Sequence, residues 1–85
     1  MRIELDENAF EDLAYWVARD RKKARKILDL IRETSRTPFD GTGKPEPLRH
    51  GLAGYWSRRI DREHRLVYRF EDGLLRILSC RFHYH

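Results

Sequence analysis

The 85-residue chain has one cysteine, Cys80, so no disulfide can form within it. Cys80 lies in an apolar run, where a thiol is expected to be buried and inert rather than nucleophilic. No apolar stretch approaches the roughly 20 residues that span a bilayer. Met1 to Asp6 lacks the apolar core of a signal peptide, so a cytoplasmic protein without membrane contact is expected. Repeats, low-complexity tracts and linkers are missing, as is a glycine-rich loop of a known phosphate-cradling type. His50, His64, His83 and His85 show no metal-ligand spacing, and His83-x-His85 offers only fortuitous affinity, so neither a metal nor another cofactor is expected. A serine or cysteine nucleophile with a neighbouring base has no support.

What the chain does have is charge: 18 Lys and Arg against 14 Asp and Glu, a net +4. A small basic domain points to a polyanionic partner, RNA or DNA, or to an acidic protein. The apolar residues are clustered and periodic, which argues against disorder. The length suits one domain, residues 1–85, with a small core.

Two short strands joined by the turn Asp61-Arg62-Glu63 dominate the second half, in YWSRRIDREHRLVY from Tyr55 to Tyr68. Alternation puts Tyr55, Ser57 and Arg59 on one face and Trp56, Arg58 and Ile60 on the other. In the second arm Arg65, Val67 and Arg69 oppose Leu66, Tyr68 and Phe70. A mid-strand arginine among apolar neighbours needs a partner or a groove, a first pointer to an anion-binding surface on a sheet.

Ahead of this hairpin, Ile3 and Leu5 alternate with charge and read as a first strand. Asp6 and Asn8 are candidate N-caps, and Phe10, Leu13, Ala14 and Val17 form one apolar helical stripe, with Tyr15 and Trp16 beside it as core aromatics. Asp20 can cap a second helix, in which Ala24, Ile27, Leu28 and Ile31 repeat the spacing until Pro38 stops it. Lys22, Lys23, Arg25, Lys26 and Arg32 make the rest of that helix basic, either as a solvated face or as a phosphate contact. In FDGTGKPEP, Glu46 is held in extended backbone between Pro45 and Pro47. A short strand is expected between Leu48 and Gly54. After the Glu71-Asp72-Gly73 turn, the parity Leu74, Leu78, Cys80 and Phe82 is expected under the helices, leaving His83 on the side of Arg65. The order β-α-α-β-β-β predicts an α+β fold: two N-terminal helices packed on one face of a small, mostly antiparallel twisted sheet.

Glu46, Arg59, Arg65, His83 and Tyr84, with Lys44 nearby, are the candidate site. A carboxylate, a histidine and an arginine on one surface are the parts of a metal-free phosphodiester transfer. One group takes the proton of a ribose 2′-OH, the arginine neutralises the phosphorane, and the other protonates the leaving 5′-oxygen. Tyr84 is placed to stack on a base or to hydrogen-bond phosphate.

Four ordered blocks, GKPEPLRH at 43–50, GYWSRRID at 54–61, EHRLVY at 63–68 and CRFHY at 80–84, carry a family resemblance. With Tyr15-Trp16 and Thr37-Pro38-Phe39, the chain resembles the YoeB (Txe) toxins of the RelE/ParE superfamily over nearly its whole length. The resemblance implies a RelE-like fold and a toxin that cleaves mRNA in the ribosomal A site as a metal-independent endoribonuclease. It also implies the ribosome as a partner, inhibition by a YefM-like antitoxin, and a homodimer. By position it makes Glu46 the general base, Arg65 the phosphate-binding arginine, His83 the general acid and Tyr84 the neighbouring site tyrosine, with Lys44 and Arg59 as RNA-binding residues. His85 departs from the family by extending one residue past the usual His-Tyr end. Two other readings stand beside this one: a non-catalytic RNA- or ribosome-binding module, and a gyrase-directed toxin of the ParE branch. Discrete cuts in translated mRNA, binding without cuts, or inhibited DNA supercoiling separates the three.

Overall fold

A computed structural model of the chain describes residues 1–82. Strand β1 (Arg2–Leu5) leads into helices α1 (Glu7–Arg19) and α2 (Arg21–Arg36), and strand β2 (Glu46–Pro47) and a 3-10 turn (His50–Leu52) follow. Strands β3 (Trp56–Arg59), β4 (Arg65–Glu71) and β5 (Leu74–Ser79) complete one five-stranded sheet of spatial order β1-β5-β4-β3-β2. Its pairings are antiparallel except that β1 runs parallel to β5, and the two helices carry the chain from β1 at one edge of the sheet to β2 at the other. The expected α+β architecture is therefore the observed one. No helix among the described residues is long and apolar enough to cross a membrane.

Both helices bury one side against the sheet. Asp20 caps α2 as its position predicts, accepting from the Lys23 N–H at 3.1 Å. Ala24, Ile27 and Ile31 face the core, but Leu28 is exposed and Leu30 and Thr34 are buried in its place. Thr34 can be buried because its hydroxyl donates to the Leu30 carbonyl at 2.7 Å.

In α1 the expected apolar stripe is not the buried one. Ala9 and Trp16 are buried with Leu13 packed beside them, while Phe10 is 59% and Val17 52% exposed. Trp16 decides the rotation: it has the largest apolar area on the helix, and its indole N–H finds an acceptor in the Cys80 carbonyl at 2.9 Å. Asp6 is the N-cap, without a side-chain bond, and Asn8 lies inside the helix.

Two further expectations need correcting. On β5 the fully buried residues are Leu75 and Ile77, the parity opposite to the one expected, and Phe82 is exposed. Cys80 is buried only after the strand has ended at Ser79, so strand alternation does not extend to it. The short strand expected within 48–54 is instead Glu46–Pro47, and His50–Leu52 is a 3-10 turn. β2 is an edge strand, where Pro47 needs no ladder donor.

Candidate active site

Two sheet registers bring Glu46 and Arg65 together. Glu46 stands opposite Ser57 in the β2–β3 pairing, and Ser57 stands opposite Val67 in β3–β4. Arg65, two residues before Val67, shares its face and reaches diagonally back across β3. Its Nη1 donates to Glu46 Oε1 at 3.1 Å and to Ser57 Oγ at 3.2 Å. Only Glu46 Oε1 is engaged by Arg65, and the Glu46 side chain is 59% exposed. The arrangement joins an accessible carboxylate to a half-buried guanidinium, with Ser57 fixing the latter's position.

Arg59 stands opposite Arg65 in the ladder and is exposed. Its N–H donates to the Gly43 carbonyl at 2.7 Å, tying the loop before Glu46 to the end of β3. Gly43 has φ +88° there, and a Cβ would lie 2.9 Å from the Arg59 carbonyl oxygen, so only glycine fits. Lys44 follows, exposed, in the left-handed region at φ +52°. Arg59, Asp61, Arg62 and Arg65 line one cleft, and Lys26, Thr42 and Gly43 join Arg59, Asp61 and Arg62 in another. Asp61, the one carboxylate among the described residues that line these clefts, is held ionised: burial alone would raise its pKa, but Lys23 and the N–H groups of Glu63 and His64 outweigh it and bring it to about 2. The surface around Glu46 and Arg65 is thus predominantly cationic. His83 and Tyr84, the other expected site residues, lie outside the described residues.

Arg58, next to Arg59, has a different role. It is fully buried, and its guanidinium donates to Tyr68 Oη, Glu33 Oε2 and the carbonyls of Thr37, Asp40 and Thr42. Tyr68 Oη donates in turn to the Pro38 carbonyl at 2.7 Å. Glu33 also accepts from the Thr42 N–H at 2.6 Å, the leading cause of its lowered pKa. The turn-rich segment from α2 to Glu46 is therefore fastened to β3 and β4 from inside. Arg58 shares the parity of Trp56 and Ile60, which was the available signal that it points inward.

Two residues after β5, Cys80 and Phe82, are tied down through their backbones. The Cys80 N–H donates to Asp12 Oδ2 at 3.0 Å, and the Phe82 N–H to His64 Nδ1 at 2.7 Å. The Phe82 carbonyl accepts from the Arg65 N–H at 3.1 Å. Burial raises the Asp12 pKa against the effect of the Cys80 N–H. Burial, with the charge of Asp12, pushes the Cys80 thiol up to about 12, so it is inert at neutral pH as its apolar setting implied. Sequence reasoning did not single out Asp12, Ser57 or Arg58 for a role, and it weighed His64 only as a metal ligand. His64 shares the inward parity of Leu66 and Tyr68, a usable signal of burial. Among the described residues no group of three or more His, Cys, Asp or Glu side chains could hold a metal ion.

Residues 5–84 match the family described as YoeB-like toxin of bacterial type II toxin-antitoxin system. Toxin YoeB of Escherichia coli K12 is 51% identical over 84 residues, covering 99% of this chain and 100% of that protein. The solved YoeB/ParE toxin from Agrobacterium tumefaciens superposes with a TM-score of 0.94 at 49% identity, covering 99% of this chain and 100% of its own. Staphylococcus aureus YoeB, solved as a dimer, gives 0.91 at 44% identity, covering 99% and 98%. The same organism's YoeB-YefM complex gives 0.89 at 42%, with the same coverage.

Proposed function

Since the chain belongs to the YoeB-like toxins of bacterial type II toxin–antitoxin systems, we propose that it is a ribosome-dependent endoribonuclease that cuts mRNA in the ribosomal A site and stops translation. The observation that carries this reading is the 3.1 Å contact between Glu46 and Arg65 on a cationic surface. A basic cleft draws in the phosphate backbone without regard to sequence, and Lys44 and Arg59 are its RNA-binding residues.

In this reading Glu46 accepts the proton of the ribose 2′-OH at the cut. The 2′-oxygen attacks phosphorus, an O2′–P bond forms, and the P–O5′ bond breaks. His83 gives its proton to the departing 5′-oxygen. Arg65 offsets the charge that builds on the phosphorane oxygens, where a pre-positioned cation acts most strongly. Tyr84 stacks on a base or hydrogen-bonds the phosphate. The nucleophile belongs to the substrate, so attack is intramolecular and benefits from proximity. The products are a 2′,3′-cyclic phosphate and a 5′-hydroxyl.

Two partners follow from the relatives. A YefM-like antitoxin, by analogy with the Staphylococcus aureus complex, covers the Glu46–Arg65 surface with an acidic segment that orders on binding. A second copy of this chain docks on the outer face of α1, where Phe10, Leu13, Ala14, Val17 and Ala18 line an apolar groove. An exposed apolar groove is a surface that self-association buries, and Staphylococcus aureus YoeB was solved as a dimer. The experiment that tests the function is incubation with translating ribosomes and a defined message, followed by primer extension. Discrete new 5′ ends support the reading; binding without cuts replaces it with the non-catalytic one.

A further inference from the structure

Phe82 immediately precedes His83 and is held in a backbone conformation that costs energy. Its φ is +64°, left-handed for a bulky residue with no glycine-like freedom. Such a conformation persists only where surrounding groups enforce it. Here two consecutive residues of β4 and its approach do so, His64 on the Phe82 N–H and Arg65 on the Phe82 carbonyl. A backbone N–H can only donate, so His64 Nδ1 is the acceptor and the neutral ring carries its proton on Nε2. The His64 ring is itself fixed, edge-on to Trp16 at 4.7 Å and tilted against the Phe82 ring at 5.5 Å. Trp16 in turn holds the Cys80 carbonyl, so α1, the β3–β4 turn and the chain after β5 are locked together at this point.

We propose that His64 is a positioning residue for the reaction: through Nδ1 it fixes the strained Phe82 and thereby sets the direction in which the chain enters His83. The proposal rests on the reading of His83 as general acid. His64 touches no substrate in this scheme. Its effect is exerted through the peptide link before the acid, whose carbonyl is bonded to the backbone of the residue that carries the phosphate-binding guanidinium. One residue, Arg65, therefore touches both parts of the site: its side chain holds Glu46 and its N–H holds the Phe82 carbonyl.

The test compares His64→Asn with His64→Gln in the full-length chain. An asparagine oxygen falls close to the place of Nδ1, whereas a glutamine amide extends to the place of Nε2. The two variants are alike in polarity and burial, so a merely structural role predicts similar behaviour. The proposal predicts that Gln lowers kcat for ribosome-bound mRNA about 10- to 100-fold relative to Asn, with KM within about twofold. Hydrogen exchange of the Phe82 amide supplies a readout independent of activity: it is protected in the wild type and in His64→Asn and released in His64→Gln. A Phe82 amide that exchanges equally fast in all three, or equal kcat for Asn and Gln, overturns the proposal. Combining His64→Gln with His83→Gln separates the two claims. If His64 acts through His83, the double variant is no slower than His83→Gln alone; multiplied losses overturn the positioning role. A fully active His83→Gln overturns the acid assignment, and the proposal with it, even where the amide is protected.

Discussion

Arg58 and Glu33 meet at 3.2 Å although they stand 25 residues apart, and the arginine has no exposed surface. Their contact lies behind the site, and the segment between α2 and Glu46 is folded around it. Arg58→Leu strands the Thr37, Asp40 and Thr42 carbonyls and leaves Glu33 without its cation. The expected loss is about 3–5 kcal/mol of folding stability, read from urea denaturation, because several acceptors lose their donor at once. Arg58→Lys supplies too few donors for the same acceptors and falls between the wild type and Arg58→Leu. Near-wild-type stability for Arg58→Leu contradicts the structural role.

Asp61 links the β3–β4 turn to α2 through Lys23 and gives a pH dependence of known sign. Its folded pKa of about 2 lies below the unfolded value of about 3.9. Its contribution is therefore present above the unfolded pKa and lost as pH falls through about 2. With allowance for solvent at a side chain that is nearly a third exposed, it is worth about 1 kcal/mol at neutral pH. The stability gap between wild type and Asp61→Asn is expected to narrow by more than about half between about pH 6 and about pH 2.5. A gap that stays constant over that range counts against the assignment.

The α1 groove predicts self-association. Phe10→Glu places a charge where a second copy would dock, and sedimentation velocity should show its dimer weakened by about tenfold or more, since each 1.4 kcal/mol changes the constant tenfold. Phe10 is not part of the core, so the melting temperature of the monomer should hardly move. Unchanged association in Phe10→Glu would place the dimer contact elsewhere.

Glu46→Ala and His83→Ala are each expected to slow cleavage by about 10²–10⁴-fold, the usual contribution of an acid or base. Glu46 is exposed, and its ion pair with Arg65 contributes at most about 1 kcal/mol to folding. Circular dichroism and thermal melts should therefore match the wild type for Glu46→Ala. Unfolded variants, rather than folded inactive ones, would defeat the assignment of these residues to chemistry.

The fold was legible because local signals agreed with one another. Asp20 capped α2 as expected, the Asp61-Arg62-Glu63 turn closed the hairpin, and helix and strand periods followed one another in a known order. Periodicity alone went astray where single groups override it. On α1 the indole N–H of Trp16 chose the buried side over the stripe of Phe10 and Val17. On β5 the end of the strand at Ser79 broke the alternation that had been extended to Cys80 and Phe82. Glu46 and Arg65 were singled out separately from the family pattern, and their contact at 3.1 Å follows from the sheet registers. Ser57 and His64 were not, because each acts by holding another group, and hydrogen bonds across the sheet leave no spacing signature in the chain.

The central claim is that the substrate's own 2′-OH is the nucleophile, with Glu46 as its base. It is tested most directly by a message carrying one 2′-deoxynucleotide immediately 5′ to the cut, loaded in a defined ribosomal complex. The account predicts that cleavage at that bond is abolished while binding barely changes, because every phosphate and base remains. Cutting of the deoxy-substituted message at the same bond, at a rate near that of the all-ribose control, would contradict it.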